Sequence, residues 1–145
     1  RMVPGADLSV GPDGLEAALA SADIVVLAAP STAQTLSLIN DRTIDLMKPT
    51  AALVNVARGN LIDSEALLVA LDRGRLSAVA LDVTDPEPLP DGHPFFHHPK
   101  ILITPHVANP AALKRASFAQ HVQDNCRRFN NGETLFGVID SDRGY

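Results

Sequence analysis

The residues that most constrain this chain are Ala51-Ala52-Leu53-Val54-Asn55-Val56-Ala57, an apolar run broken by one asparagine and followed at once by Arg58-Gly59. A run this short and this apolar reads as a strand with both faces buried, and a parallel sheet flanked by helices buries both. Three further runs repeat the signal: Ile24 to Ala29, closed by Pro30, then Leu76 to Val83, then the shorter Lys100 to Thr104. Leu8 to Val10 is a weaker strand candidate.

Helical signals fill the gaps between these runs. Asp13 to Glu16 has the spacing of a capping box, and Leu15, Ala18, Leu19 and Ala22 then share one helical face. Thr43 to Met47 predicts a helical turn that stops before Pro49. Asp63 predicts the cap of a helix through Leu67, Leu68 and Leu71, with Gly74 as its left-handed C-cap. Asn109-Pro110 predicts one more start, with Asn as cap and Pro at the first helical position. The long helix that follows carries Leu113, Ala116, Ala119, Val122, Cys126 and Phe129 at helical spacing, and Gly132 ends it. Strands alternating with helices predict an α/β fold with a parallel sheet covered on both faces.

Composition removes several function classes. The 145 residues make one ordinary domain. A net charge of −5 and the lack of a basic run beyond Arg127-Arg128 argue against nucleic-acid binding. No stretch approaches the ~20 apolar residues of a membrane span, and the first residues do not resemble a secretion signal. One cysteine, Cys126, forms no internal disulfide, so a cytoplasmic setting is expected. Arg1 to Gly5 carries no clear start signal, so a piece of a longer protein is expected.

The one biased segment is Asp85 to Pro99, with five prolines. It reads as a rigid excursion from the sheet, with Leu89, Phe95 and Phe96 to bury. His93, His97 and His98 cluster there, but without cysteine or helical spacing they are expected to be loop residues and not metal ligands. His121 is expected to face solvent, and Cys126 to lie in the core.

Ligands of an open parallel sheet bind at the carboxyl ends of its strands. Those ends present Ala29-Pro30, Ala57-Arg58-Gly59, Asp82 with the Thr84 to Pro88 loop that holds Glu87, and Pro105-His106. Arg58 offers a planar fork of donors for a carboxylate. His106 titrates near neutrality and can give or take a proton at a carbonyl or hydroxyl. A carboxylate such as Glu87 beside that histidine would hold its ring. A 2-oxo or 2-hydroxy acid would use all three, and Gly59 would let backbone or ligand approach closely.

Three segments now coincide with one family. Leu53 to Asp63, reading LVNVARGNLID, resembles the Asn-x-Ala/Ser-Arg-Gly segment of D-isomer-specific 2-hydroxyacid dehydrogenases. Ala80 to Pro90 resembles their Leu-Asp-Val-x-x-x-Glu-Pro-Leu segment, and Leu102 to Ala108 their Thr-Pro-His signature. The likeness is to the D-3-phosphoglycerate dehydrogenase-like members and runs from about Gly14 to Tyr145. It implies the second half of a Rossmann-type NAD(P)-binding domain over residues 1–109, and over 110–145 a long helix and tail leading back to a substrate domain.

The resemblance further implies an NAD- or NADP-dependent enzyme interconverting a small D-2-hydroxy acid and its 2-oxo acid, with substrates of the 3-phosphoglycerate, glyoxylate or hydroxypyruvate type. It implies Arg58 on the substrate carboxylate and carbonyl, His106 as acid and base, and Glu87 as its paired carboxylate. Asp82 would meet the nicotinamide carboxamide, with Ala29, Pro30, Ala57, Arg58 and His106 lining the cofactor. By analogy the protein is a homodimer. Two departures stand out. No Gly-x-Gly-x-x-Gly turn occurs, so the first strand–helix–strand is expected to precede Arg1, and the piece alone to bind NAD poorly or not at all. Ala28-Ala29-Pro30 also stands where many relatives carry a His and a larger apolar residue. Two competing readings are an NAD(H)-sensing, corepressor-like interaction protein and an inactive truncated fragment. Turnover with NADH and a panel of 2-oxo acids separates them.

Overall fold

The computed structural model describes residues 5–140, apart from the side chains of residues 111–114 and 116. The chain divides between Thr104 and Pro105 into two compact units.

The first unit is built on a four-stranded parallel sheet, β1 (Ile24–Leu27), β2 (Ala52–Asn55), β3 (Ala78–Leu81) and β4 (Ile101–Ile103), in that spatial order. Each strand is shorter than its apolar run, because the last apolar residues turn away from the ladder into the loops. α1 (Leu15–Ser21) precedes β1, while α2 (Asp41–Leu46) connects β1 to β2 and α3 (Ser64–Asp72) connects β2 to β3. Register aligns Leu27, Asn55, Leu81 and Ile103 in one row, with Val25, Leu53, Val79 and Ile101 in the row beside it. These rows form the inner face. Leu53 is fully buried there and packs in one cluster with Leu19, Ile44, Leu67 and Leu71 from the three helices.

The opposite face departs from the sequence expectation. Ile24, Val26 and Leu102 are 64%, 57% and 63% exposed. Near-continuous apolarity predicted helices on both faces, but consecutive crossovers in one direction keep one hand and return to one side. α2 and α3 therefore share the inner face, α1 packs there too through Leu19, and among the described residues of this unit the outer face is open.

Local signals were followed unevenly. Asp63 Oδ1 accepts from the backbone N–H groups of Glu65 and Ala66 at 3.1 and 3.0 Å, so it caps α3 as predicted. Gly74 takes φ +70° at the other end. Asp13 makes no cap. A 3₁₀ turn over Pro12–Gly14 leads into α1, and Gly14 occupies the cap position without a side-chain bond. The capping box lies at α2, where Asn40 Oδ1 accepts from Thr43 N–H at 3.2 Å and Thr43 Oγ1 accepts from Asn40 N–H at 2.8 Å. Leu8 to Val10 form no strand. Phe95 and Leu89 anchor the proline-rich loop, being 2% and 8% exposed, whereas Phe96 is 52% exposed.

The second unit contains α4 (Ala111–Asn130) and the tail after it. Pro110, not Asn109, occupies the cap position of α4, and it makes no side-chain bond. The tail is stitched to α4 by Asn125, whose Nδ2 donates to Phe136 O at 3.0 Å and whose Oδ1 accepts from Phe136 N–H at 2.9 Å. Arg128 lies over the Phe136 ring at 3.7 Å. The inward stripe expected on α4 is not seen. Leu113 and Ala116 lie outside the described side chains, while Val122 and Phe129 are 42% and 75% exposed. Cys126, expected in the core, is exposed. His121 is exposed as expected, with Nε2 3.2 Å from Asn125 Nδ2.

Candidate active site

The carboxyl edge of the sheet brings most of the predicted residues of the first unit together. The turn after β2 is held from inside. Asn55, fully buried, accepts from Ala57 N–H through Oδ1 at 3.0 Å and donates from Nδ2 to Arg58 O at 2.8 Å. Ala57 is buried at 7% exposure, and Arg58 emerges from the turn in extended conformation, φ −146° and ψ 147°, into solvent. Its Nη1 donates to Ala57 O at 2.6 Å. Among the described residues no carboxylate pairs with it. An arginine held at a strand end with its charge unneutralised is available to an incoming carboxylate.

Gly59 has a specific steric reason. A Cβ at this position would lie 2.0 Å from both the carbonyl carbon and oxygen of Thr84, and 2.5 Å from Asp85 N. The close approach is therefore backbone to backbone: the turn after β2 packs directly on the loop after β3. Glu87, exposed, lies two residues beyond this contact in the same loop, which Thr84 Oγ1 also ties by donating to Pro86 O at 2.9 Å.

Asp82 is buried at 7% exposure. Its N–H donates to Asn55 O at 2.9 Å, and its Oδ1 accepts from Thr104 Oγ1 at 2.5 Å. A buried carboxylate needs such donors to offset its desolvation. Ala29 is half-buried against the core, and Pro30 O accepts from Thr35 Oγ1 at 2.7 Å, which fastens the loop after β1. That segment also pairs with the end of the β2 turn through a parallel bridge between Ile39 and Ile62.

His106 belongs to the second unit, where it adopts φ +54° in the left-handed region that few non-glycine residues occupy. Two of the loop histidines make loop-building bonds: His93 Nδ1 accepts from Phe95 N–H and His98 Nδ1 from Lys100 N–H, both at 3.2 Å. Asn55 and Thr104 have no role in any reading the sequence suggests, and which backbone meets Gly59 is fixed only by the fold. The lone asparagine in an apolar strand was the one available signal.

Comparison with known proteins gives the chain's family. The family model described as D-isomer specific 2-hydroxyacid dehydrogenase, NAD binding domain, matches residues 4–108. The chain belongs to this family. It is 43% identical over its whole length to an uncharacterized Corynebacterium melassecola protein encoded in the proB 3′ region, covering 48% of that protein. It is 35% identical to a glyoxylate/hydroxypyruvate reductase A of Salmonella paratyphi B over 98% of this chain and 45% of the relative. A D-isomer-specific 2-hydroxyacid dehydrogenase from Xanthobacter autotrophicus Py2, solved with NADPH and MES, aligns with TM-score 0.83 and 37% identity, over 93% of this chain and 55% of that one. An NADPH-dependent glyoxylate/hydroxypyruvate reductase from Sinorhizobium meliloti, solved with NADP and sulfate, aligns with TM-score 0.83 and 31% identity, over 94% of this chain and 44% of that one. The chain thus spans about half the length of the curated relatives it matches. Its sheet is that of the family's Rossmann-type NAD-binding domain. Among the described residues, no helix is long and apolar enough to cross a membrane.

Proposed function

We propose that the protein is an NAD(P)-dependent 2-hydroxyacid dehydrogenase that reduces a small 2-oxo acid of the glyoxylate or hydroxypyruvate kind. The observation that carries this reading is Arg58, presented by a fastened turn at the carboxyl edge with no carboxylate partner among the described residues. The named activities of the reductase relatives support the substrate class.

Arg58 takes the substrate carboxylate and polarises the neighbouring carbonyl, since one guanidinium serves two acceptors. His106 delivers the proton to the carbonyl oxygen as it becomes the alcohol. Glu87 holds the His106 ring in the orientation that transfer needs. The residues present suit the nicotinamide end of the cofactor: the small side chains Ala29 and Ala57 leave room at two strand ends, and Asp82 offers a buried carboxylate to a carboxamide N–H. The cofactor, when bound, supplies the hydride.

The test is oxidation of NADH and NADPH by the full-length protein across a panel of 2-oxo acids, with His106→Ala as control. Turnover that disappears in the variant is expected. Folded protein that binds NADPH yet turns over none of the panel would overturn the reading in favour of cofactor sensing.

A further inference from the structure

We infer that Asn55 is a positioning residue for the reaction: its buried side chain sets the peptide geometry that aims Arg58. The inference rests on the reading of Arg58 as the substrate-carboxylate anchor. Every other inner-face position of β1 to β4 is apolar; this one, fully buried, carries an amide whose two ends engage the same turn. Oδ1 takes Ala57 N–H at 3.0 Å, and Nδ2 gives to Arg58 O at 2.8 Å. The residues on either side of the Ala57–Arg58 peptide are thereby gripped by one rigid group. Arg58 O receives a second, longer bond from Leu61 N–H at 3.3 Å, and Asn55 O accepts from Asp82 N–H at 2.9 Å. Asn55 therefore ties the arginine turn to the strand that ends in the buried carboxylate.

A leucine would fill the row but strip the buried Ala57 N–H of its acceptor, so the amide also stabilises the turn, and the test has to separate the two roles. What an amide adds is direction. It supplies an acceptor toward one residue and a donor toward the next, and no aliphatic or hydroxyl side chain does both at this reach. Misplacement of a binding group by about 1 Å costs on the order of 100-fold in rate, so a loosened turn should register in turnover.

The test uses the full-length protein with glyoxylate and NADPH as probes. Asn55→Ala is expected to lower kcat/KM for glyoxylate by about 10- to 100-fold, through KM and kcat together, with NADPH affinity unchanged. In the Arg58→Ala background the same substitution should cost nothing further. Losses that multiply in the double variant would overturn the inference. Asn55→Asp gives a second, independent reading. Buried, the introduced carboxyl favours its neutral form, which accepts from Ala57 N–H and donates to Arg58 O as the amide does. Ionised, it repels the Arg58 carbonyl. Activity relative to the unsubstituted protein should therefore approach parity in acid and fall as pH rises; a ratio that stays flat with pH would overturn the inference. Hydrogen exchange at the Ala57 amide decides the grip without turnover: lost protection in Asn55→Ala supports it, and retained protection refutes it. If Arg58→Ala leaves turnover intact, the proposed function fails on its own, and the amide still reports on Asn55.

Discussion

Gly59→Ala is the sharpest perturbation the fold offers, because its cost follows from position alone. The added methyl would sit 2.0 Å from the Thr84 carbonyl carbon and oxygen and 2.5 Å from Asp85 N. Carbon–carbon contacts are comfortable at about 3.5–4.0 Å, so the loop after β3 must retreat by about 1.5 Å or the β2 turn must. The clashing atoms are backbone, so no side-chain rotation relieves them. Overpacking of this kind costs about 1–3 kcal/mol. For a chain of about this length that is a loss of roughly 2–12 °C in Tm. The retreating loop carries Glu87, so turnover should fall by more than the stability loss explains, by about 10- to 100-fold at temperatures where the variant is folded. Gly74→Ala is the matched control: its φ is +70°, yet nothing lies within 4 Å of an added Cβ. It should lose about 1 kcal/mol to backbone strain and nothing in turnover. Thermal unfolding followed by 2-oxo acid reduction reads both. Gly59→Ala with the Tm and kinetics of the unsubstituted protein would refute the argument that the two loops are locked through this glycine.

Other expectations follow from the same edge. Arg58→Ala should raise KM for the 2-oxo acid and lower kcat together, by at least 100-fold in kcat/KM, with NADPH binding retained; titration of cofactor and substrate separates the two. His106→Ala should suppress turnover while NADPH binds nearly as before, and an equal loss of NADPH affinity would remove it as the acid. Thr104→Val deletes the hydroxyl that donates to Asp82 at 2.5 Å and leaves the buried carboxylate short of a donor. A stability loss of about 1–3 kcal/mol in denaturant unfolding is expected, together with weaker cofactor binding. Leu53→Ala, fully buried at the centre of the sheet, should cost about 2–5 kcal/mol by the same measurement.

Apolar runs located all four strands and their parallel sense, because burial in a central sheet requires that composition of every residue and leaves little else that fits. What such runs do not encode is which partner buries each face. Val54 and Leu53 are alike on paper, yet one faces the helices and the other the open side; only the direction of the crossovers separates them. The α4 stripe misled for the same reason. Its spacing predicts a helix correctly, but Cys126 and Phe129 are exposed, since amphipathicity names a face and not its occupant.

At the site the division runs between side chains that act outward and those that act inward. Arg58, Glu87 and His106 can be proposed from the sequence because charged and titratable residues just past apolar runs stand out at the strand ends. Asn55, and which backbone meets Gly59, do not stand out there, because their work is on neighbours remote in sequence or on the chain's own backbone. Gly59 reads as room for backbone or ligand, and it is backbone that fills it: Thr84, twenty-five residues on, occupies the place of the missing Cβ. A sequence shows that a position tolerates no side chain, but the approaching atom is fixed by packing between β2 and β3. That same packing makes the arginine turn and the Glu87 loop a single mechanical piece, so a change in either should be felt at both.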